Sequence, residues 1–383
     1  SARSAGVSVS SSGSGSTDVT VTGAVKVEDQ VGGFVSNTGT DLKLVVSDVS
    51  TYAGDPAVIA RNFGTGNSYL GVNGVITTTD GTGRGIQAIR YSNDPGQFDV
   101  VLNDGASVNM AGGIAILNNS SDANVMVKSG ASVTGRIALE GGNDTLTFDG
   151  GDFSGVTAFD GGDGTGDALV LRNSDGTLDG SLVSGFETVE VGTGSAISVQ
   201  NGLTATSFSV GDGGLIGGSG AIDAAVEILA GGGVGPGNSP GILTINGDID
   251  FTGGSFIDIE LGGTTAGTEY DQLDVFGIAT LGSGTIFNID GFGGFGPTDG
   301  DIFDILVADT ISLTALTDLT FNFNIGGNFN VGIFDVGGRD ALRLTSTSIS
   351  TVPIPASMLL YGSGFLLLGG IGWMKRRRKS EQA

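Results

Sequence analysis

Short runs in which apolar and polar residues alternate recur along this chain from about residue 23 to about residue 346, each closed by Gly, Asn, Asp or Ser. "FDVVLNDGASVNM", "ANVMVKSGASVTGRIAL", "GDALVLRN" and "ETVEVGTGSAISV" are the clearest. A period of two sends successive side chains to opposite faces of a strand, and the closing residues suit tight turns. No helix-period segment of useful length interrupts them. The chain has 72 glycines and 7 prolines among 383 residues, without a three-residue glycine period, so a collagen-like chain is excluded. An apolar share of 39% argues against wholesale disorder. An all-β fold is predicted.

The order of the strands follows from a repeat. "NDGASVNM" and "KSGASVTG" share Gly-Ala-Ser-Val, with Gly105 and Gly130 spaced 25 residues apart. A recurrence of this length is what one coil of a solenoid produces. The prediction is a parallel β-helix with coils of roughly 20 to 25 residues, on the order of fifteen of them, and a rod ~70 Å long. Inward columns of Val, Ile, Leu and Phe would form its core, and glycine would take corners that need positive φ. An array of β-sandwiches is the competing architecture.

After residue 300 the chain becomes more hydrophobic, with three Phe-Asn steps and Gly337-Gly338 between two strand-like runs. This predicts a β-hairpin cap over the last coil. Further coils, or an exposed Phe strip for partners, are the other readings.

Charge and composition limit the chemistry. The formal charge is -25, from 16 basic and 41 acidic residues. Before residue 375 there are 11 basic and 40 acidic residues, a charge of -29. Such a surface repels nucleic acid, so no nucleic-acid partner is expected. There is no histidine and no cysteine. That removes the usual general base and zinc sites built from Cys and His, and no enzyme is expected. Gly237-Asn238-Ser239-Pro240-Gly241 fits the nucleophile-elbow pattern, but no histidine exists to serve it and Pro240 obstructs the helix that must follow. The G-x-G-x-x-G match at 291–296 runs into Pro297 and a strand pattern, where a phosphate loop needs a helix.

The C-terminus carries a membrane signal. Residues 356–374 are uncharged and mostly apolar, long enough for one transmembrane helix. The membrane stop signal Lys375, Arg376, Arg377, Arg378 and Lys379 follows at once and would stay cytoplasmic. Val352-Pro353-Ile354-Pro355-Ala356, the apolar span and the basic terminus together resemble the PEP-CTERM sorting tail of Gram-negative bacteria, in its variant with an apolar residue between the prolines. The resemblance covers about thirty residues. It implies an exosortase-type processing protease as partner and an inner-membrane-anchored precursor released to the cell surface or extracellular matrix. Export needs a leader, and "SARSAGVSVS" shows no apolar stretch, so the leader is expected either to have been removed or to precede the sequence given.

A second resemblance lies in the ectodomain. Pro236-Gly237-Asn238-Ser239-Pro240-Gly241, the alternating "SFIDIEL" and Tyr270-Asp271-Gln272-Leu273 followed by "ATLGSG" resemble the β-helix segment of autotransporter passengers. The match is strongest over 229–284 and looser over about 184–346. It implies the fold and not the autotransporter's secretion route.

One acidic stretch remains, "EGGNDTLTFDGGDFSGVTAFDGGDGTGDALVL". Its Gly-Gly pairs approach the calcium-binding nonapeptide without a tandem register. Asp144, Asp149, Asp160, Asp163 and Asp167 are candidate calcium ligands, against the reading that they are solvated acidic corners; no other cofactor is expected.

The chain divides into a Ser/Gly-rich lead (1–22), read as either a flexible segment or a first frayed strand, a β-helix (23–299), a β cap (300–346), a linker with the sorting motif (347–355), a transmembrane helix (356–374) and a basic cytoplasmic tail (375–383). The expected function is structural or adhesive, at the cell surface or in the extracellular matrix of a biofilm, with exopolysaccharide or other surface proteins as partners. The alternatives are a carbohydrate-active β-helix enzyme acting on matrix polysaccharide and a self-assembling matrix filament subunit.

Overall fold

The computed structural model describes residues 6–347 apart from 28–30, 53, 55, 91–95, 120–121 and 239. The sorting motif, the predicted membrane helix and the basic tail lie outside the described residues. Among the described residues no helix is long and apolar enough to cross a membrane.

The described chain is all-β apart from two short 3-10 turns, Gly180–Leu182 and Leu316–Asp318. Its strands form three sheets. The first runs from Val7–Ser11 to Val183–Ser184, and the second runs the length of the molecule from Thr17–Val21. The third starts at Gly176–Asp179, as the first ends, and finishes at Thr320–Asn324. Neighbours in each sheet are parallel until the last two pairings of the second sheet. The chain therefore visits the sheets in turn and moves up one level per circuit, an arrangement that fits the predicted solenoid.

The Gly-Ala-Ser-Val repeat reads directly as register. Ser107 pairs with Ser132 and Val108 with Val133, 25 residues later. Elsewhere the spacing between levels varies more than predicted, from 18 residues (Ser207 to Ala225) to 34 (Phe287 to Phe321). The second sheet has thirteen levels before its antiparallel end. Twelve steps of about 4.8 Å give a stack about 58 Å high, shorter than expected because the long circuits consume more chain per level.

Alternation explains the core. In Phe256–Leu261, Ile257, Ile259 and Leu261 are buried while Phe256, Asp258 and Glu260 face outward. One continuous apolar cluster runs from Val35 to Leu344.

Both ends depart from the predicted boundaries. The stretch read as a lead carries the strands Val7–Ser11 and Thr17–Val21, paired in parallel with Gly33–Asn37 and Leu42–Val46, so stacking begins at Val7. The region read as a cap holds one further level, because Ile302–Ser312 pairs in parallel with Gln272–Leu281 and Thr320–Asn324 with Ile286–Gly291. The hairpin itself is Asn328–Val336 with Arg339–Thr347. Gly337 and Gly338 turn it at φ 66° and 88°, as a two-residue loop between right-twisted strands requires. The Phe-Asn steps point their rings inward. Phe321 stacks on Phe287 at 5.0 Å and Phe323 on Phe329 at 4.9 Å, half-buried over the last level, while Asn322, Asn324, Asn328 and Asn330 are exposed.

Candidate functional site

Each second-sheet strand is framed by two corners, and the acidic stretch singled out in the sequence occupies the leading one. Asp122, Asp144, Asp167 and Glu187 each stand immediately before a second-sheet strand in successive levels. The Ala123 N–H donates to Asp144 Oδ1 at 2.6 Å, the Asp144 N–H to Asp167 Oδ1 at 2.6 Å, and the Asp167 N–H to Glu187 Oε2 at 2.8 Å. Asp144, Asp167 and Glu187 thus each receive a backbone N–H from the level below, while Asp122 accepts the Asn143 N–H from the level above at 2.9 Å. The same geometry returns at Asp271, which takes the Gly241 N–H on Oδ1 at 2.8 Å and the Glu260 N–H on Oδ2 at 2.9 Å.

Burial gives this column its electrostatics. Asp144 and Asp167 are both 0% exposed, and on each Oδ2 has no hydrogen-bond partner. Loss of water pushes the Asp144 carboxyl up to about 8, the neighbouring charges of Asp167 and Asp122 adding to the shift against the Ala123 hydrogen bond. Burial likewise raises Asp167, with Glu187 and Asp122 as the like charges beside it. It pushes Asp271 up to about 6, its two N–H donors opposing the shift.

The five candidate calcium ligands are split among three places. Asp144 and Asp167 belong to the buried column. Asp160 and Asp163 line a shallow depression of about 400 Å³ with Glu140. There Asp160 pairs with Arg136, and the Asp163 N–H donates to Glu140 O at 2.6 Å. Asp149 lies at the other end of its strand, where it accepts from Asn173 Nδ2 at 2.6 Å. Among the described residues no group of three or more acids is arranged to hold a metal ion.

The trailing corner needs no side chain. Gly105, Gly130, Gly150, Asn173, Gly194, Gly213, Gly231, Gly254 and Gly284 all have positive φ in nine successive levels. Their N–H groups donate upward, from Gly105 to Ser129 O at 3.1 Å through to Gly284 to Asp318 O at 2.8 Å. Asn173 is the one non-glycine member, at φ 49°, in a conformation asparagine tolerates better than other side chains do.

The passenger-like residues acquire physical roles. Gly237, at φ 86°, has no room for a side chain, because a Cβ would lie 2.2 Å from Gly241 N. The loop after it is tied to the next level by Asp271. Tyr270 is buried with its hydroxyl accepting from the Asp304 N–H at 3.2 Å, and Gln272 Nε2 donates to Asp304 O at 2.7 Å. The nucleophile-elbow match is thus a loop pinned by a carboxylate, and the G-x-G-x-x-G match is a turn at Gly293 and Gly294 leading into the strand Ile302–Ser312.

Sequence reading missed three polar features. Asn37 and Asn62, both at most 1% exposed, form a ladder in which Thr17 Oγ1 donates to Asn37 Oδ1 and Asn37 Nδ2 to Asn62 Oδ1. On the outer face of the third sheet Asn322 Nδ2 donates to Asn288 Oδ1 at 2.9 Å, and Asn288 Nδ2 to Asp258 Oδ1 at 2.8 Å. At the cap, Arg343 grips Asp304 through Nε and Nη2 at 2.6 and 2.9 Å and lies over Phe334. Arg339 bridges Asp274 and Asp309 and lies over Phe276. Recurrence of "Asn" one coil length apart was the available signal for the ladders; the arginine clamps left none.

Compared with known proteins, the chain matches no family model and no curated protein. Arrangement alone must carry the functional reading. The described acids tie one level to the next.

Proposed function

We propose that this chain is a parallel β-helix whose work is structural: an exported, non-catalytic rod of the cell surface or extracellular matrix, carried there by its PEP-CTERM-like tail. The observation that carries the structural part is the use made of the buried acids. Asp144, Asp167 and Asp271 each commit an oxygen to a backbone N–H of an adjoining circuit, which is the role of a staple and not of a proton-transfer group facing a substrate. Outward columns such as Asp258–Asn288–Asn322 repeat a polar pattern along one face, suited to weak multivalent contact with exopolysaccharide or other surface proteins.

In this reading the span 356–374 holds the precursor in the inner membrane, with 375–379 on the cytoplasmic side, until an exosortase-type protease acts near Pro353 and Pro355. The test is a pair of Gram-negative strains, with and without an exosortase, expressing the chain with an epitope replacing part of the exposed 293–300 turn. Expected are surface labelling of intact cells and a mature C-terminus near the proline motif only in the first strain. An intact basic tail in both strains would sink the sorting half of the proposal. Turnover of a matrix polysaccharide by the purified protein, abolished by an acid substitution, would sink the non-catalytic half.

A further inference from the structure

The outer face of the second sheet changes character along the stack. Followed by register, its central column reads Val45, Gly71, Val101 and Met126 in four successive levels. Farther on, the same column reads Glu190, Ser209, Glu227 and Asp250. Outward positions of a solvated face are ordinarily polar, as the later levels are. The earlier run is contiguous, not scattered, and Met126 within it is 36% exposed.

Tyr69 fills the space over Gly71. A Cβ at position 71 would lie 3.0 Å from Tyr69 Cε1 and 3.1 Å from its hydroxyl, so the missing side chain is what lets the ring fold back along its own strand. The ring, Val101 and Met126 then continue one apolar strip. Along its C-terminal part opens a cavity of about 380 Å³, lined by Asp99, Val101, Asn124, Val125, Met126 and Thr147.

Both margins of the strip are polar, with hydrogen-bonding capacity to spare. On one side Asn124 Nδ2 donates to Asp99 Oδ1 at 3.2 Å, which leaves Asn124 Oδ1 and Asp99 Oδ2 as acceptors. On the other, Asn103 Nδ2 donates to Asn73 Oδ1 at 2.7 Å and Lys128 Nζ to Asn103 Oδ1 at 3.1 Å. Lys128 forms no ion pair among the described residues and keeps two ammonium protons to donate. Asp99 and Lys128 cancel in charge, so the strip is a neutral site on a chain of net charge -25.

An apolar floor between rows of donors and acceptors suits a ligand with apolar faces and polar edges. Pyranose sugars have that form, with C–H groups on the ring face and hydroxyls around the rim. The strip runs straight along the stack for three steps of about 4.8 Å, about 14 Å in all. An extended β-linked polysaccharide advances by nearly the same step per sugar, so successive rings meet successive levels. The acidic surface around the strip repels a chain of uronic acids.

We propose that this strip is a binding site for an uncharged, extended, β-linked polysaccharide. Tyr69 and Met126 lie against the sugar faces, and the Asp99–Asn124 and Lys128–Asn103 rows meet the hydroxyls. The inference rests on the reading of the rod as a polysaccharide contact and gives that contact a place; it does not depend on export or sorting.

The test is calorimetric titration of the full-length chain, in a detergent without a sugar head group. Cellohexaose and chitohexaose are the neutral probes and hexagalacturonate the charged one. Expected is binding of at least one neutral probe, weakened about tenfold by Tyr69→Ala and by Met126→Lys, and about tenfold weaker binding of hexagalacturonate. Both substituted side chains point away from the core, so both variants should keep the wild-type circular dichroism. Glu227→Ala, exposed in the same column beyond the strip, should bind as wild type does. No titration with either neutral probe at millimolar concentration would overturn the proposal. So would tighter binding of hexagalacturonate, or equal losses in Tyr69→Ala and Glu227→Ala. Shortening of a bound neutral probe would support the site and overturn the non-catalytic reading instead. Failure to bind leaves the sorting test untouched, because that test reads only surface labelling and the mature C-terminus.

Discussion

The corner that closes each second-sheet strand and the corner that opens it face the same problem, a backbone N–H that must find an acceptor one level away. The trailing corner uses left-handed residues over nine levels, so its hydrogen bonds are backbone to backbone and indifferent to pH. The leading corner uses carboxylates at Asp144, Asp167, Glu187 and Asp271, which adds side-chain bonds and also buries ionisable groups. One device is bought with glycine's conformational entropy; the other ties local stability to protonation.

The sharpest way to break the comparison is Gly150→Val. At φ 73°, and with a Cβ falling 3.1 Å from Ser129 Cα, the substitution meets both backbone strain and a backbone clash. A loss of about 3 kcal/mol is expected, read as a lowered Tm and faster hydrogen exchange centred on the neighbouring levels. Wild-type exchange there would show that the trailing corner does not hold the stack.

The next effect is on pH dependence. With its folded pKa pushed up to about 8 against an unfolded value near 3.8, Asp144 binds its proton more tightly when folded. Its contribution is complete below about pH 4 and is lost as pH rises through 8. Asp144→Asn keeps an oxygen for the Ala123 N–H and cannot ionise. It should match wild type near pH 4 and be the more stable of the two near pH 8. Parallel stability curves for the two proteins would refute the assignment.

Arg343→Ala should come third. It removes a two-pronged, largely sheltered pair with Asp304 and the cover over Phe334, at a cost of about 2 kcal/mol. Hydrogen exchange should rise in 328–347 while the first levels stay protected; uniform loss would mean that the hairpin is not an independent cap. Smallest is Gly105→Ala, where φ is 75° but nothing lies within 4 Å of the new Cβ. About 1 kcal/mol is expected. A loss as large as that of Gly150→Val would show that conformation alone, without the clash, sets the cost at this corner.

Much of the fold was legible from local pattern. Alternation in "SFIDIEL" and "ANVMV" announces strands with one buried face, and the shared Gly-Ala-Ser-Val gives the pairing of Ser107 with Ser132 outright. The acids were visible too, but as an imperfect calcium repeat. Their actual mark is an Asp or Glu placed directly before a strand with an aliphatic residue two positions on, as in Asp144-Thr145-Leu146, Asp167-Ala168-Leu169, Glu187-Thr188-Val189 and Asp271-Gln272-Leu273. That mark is uninformative until the strands are known to stack, because the partner on the level below lies 20 to 30 residues away, as for Asp167 with Glu187 and Gly241 with Asp271.

By itself the sequence determined the strands, their buried faces, the glycine corners, the polar character of the surface and the exclusion of histidine and cysteine chemistry. These depend on φ, on a period of two and on composition, all of which are local. Tertiary structure alone decided which residues lie one above another: the exchange of the first sheet for the third near residues 176–184, the Arg343–Asp304 clamp and the burial of Asp144. Vertical neighbours are set by the length of each intervening circuit, which ranges from 18 to 34 residues, and no local pattern encodes that sum.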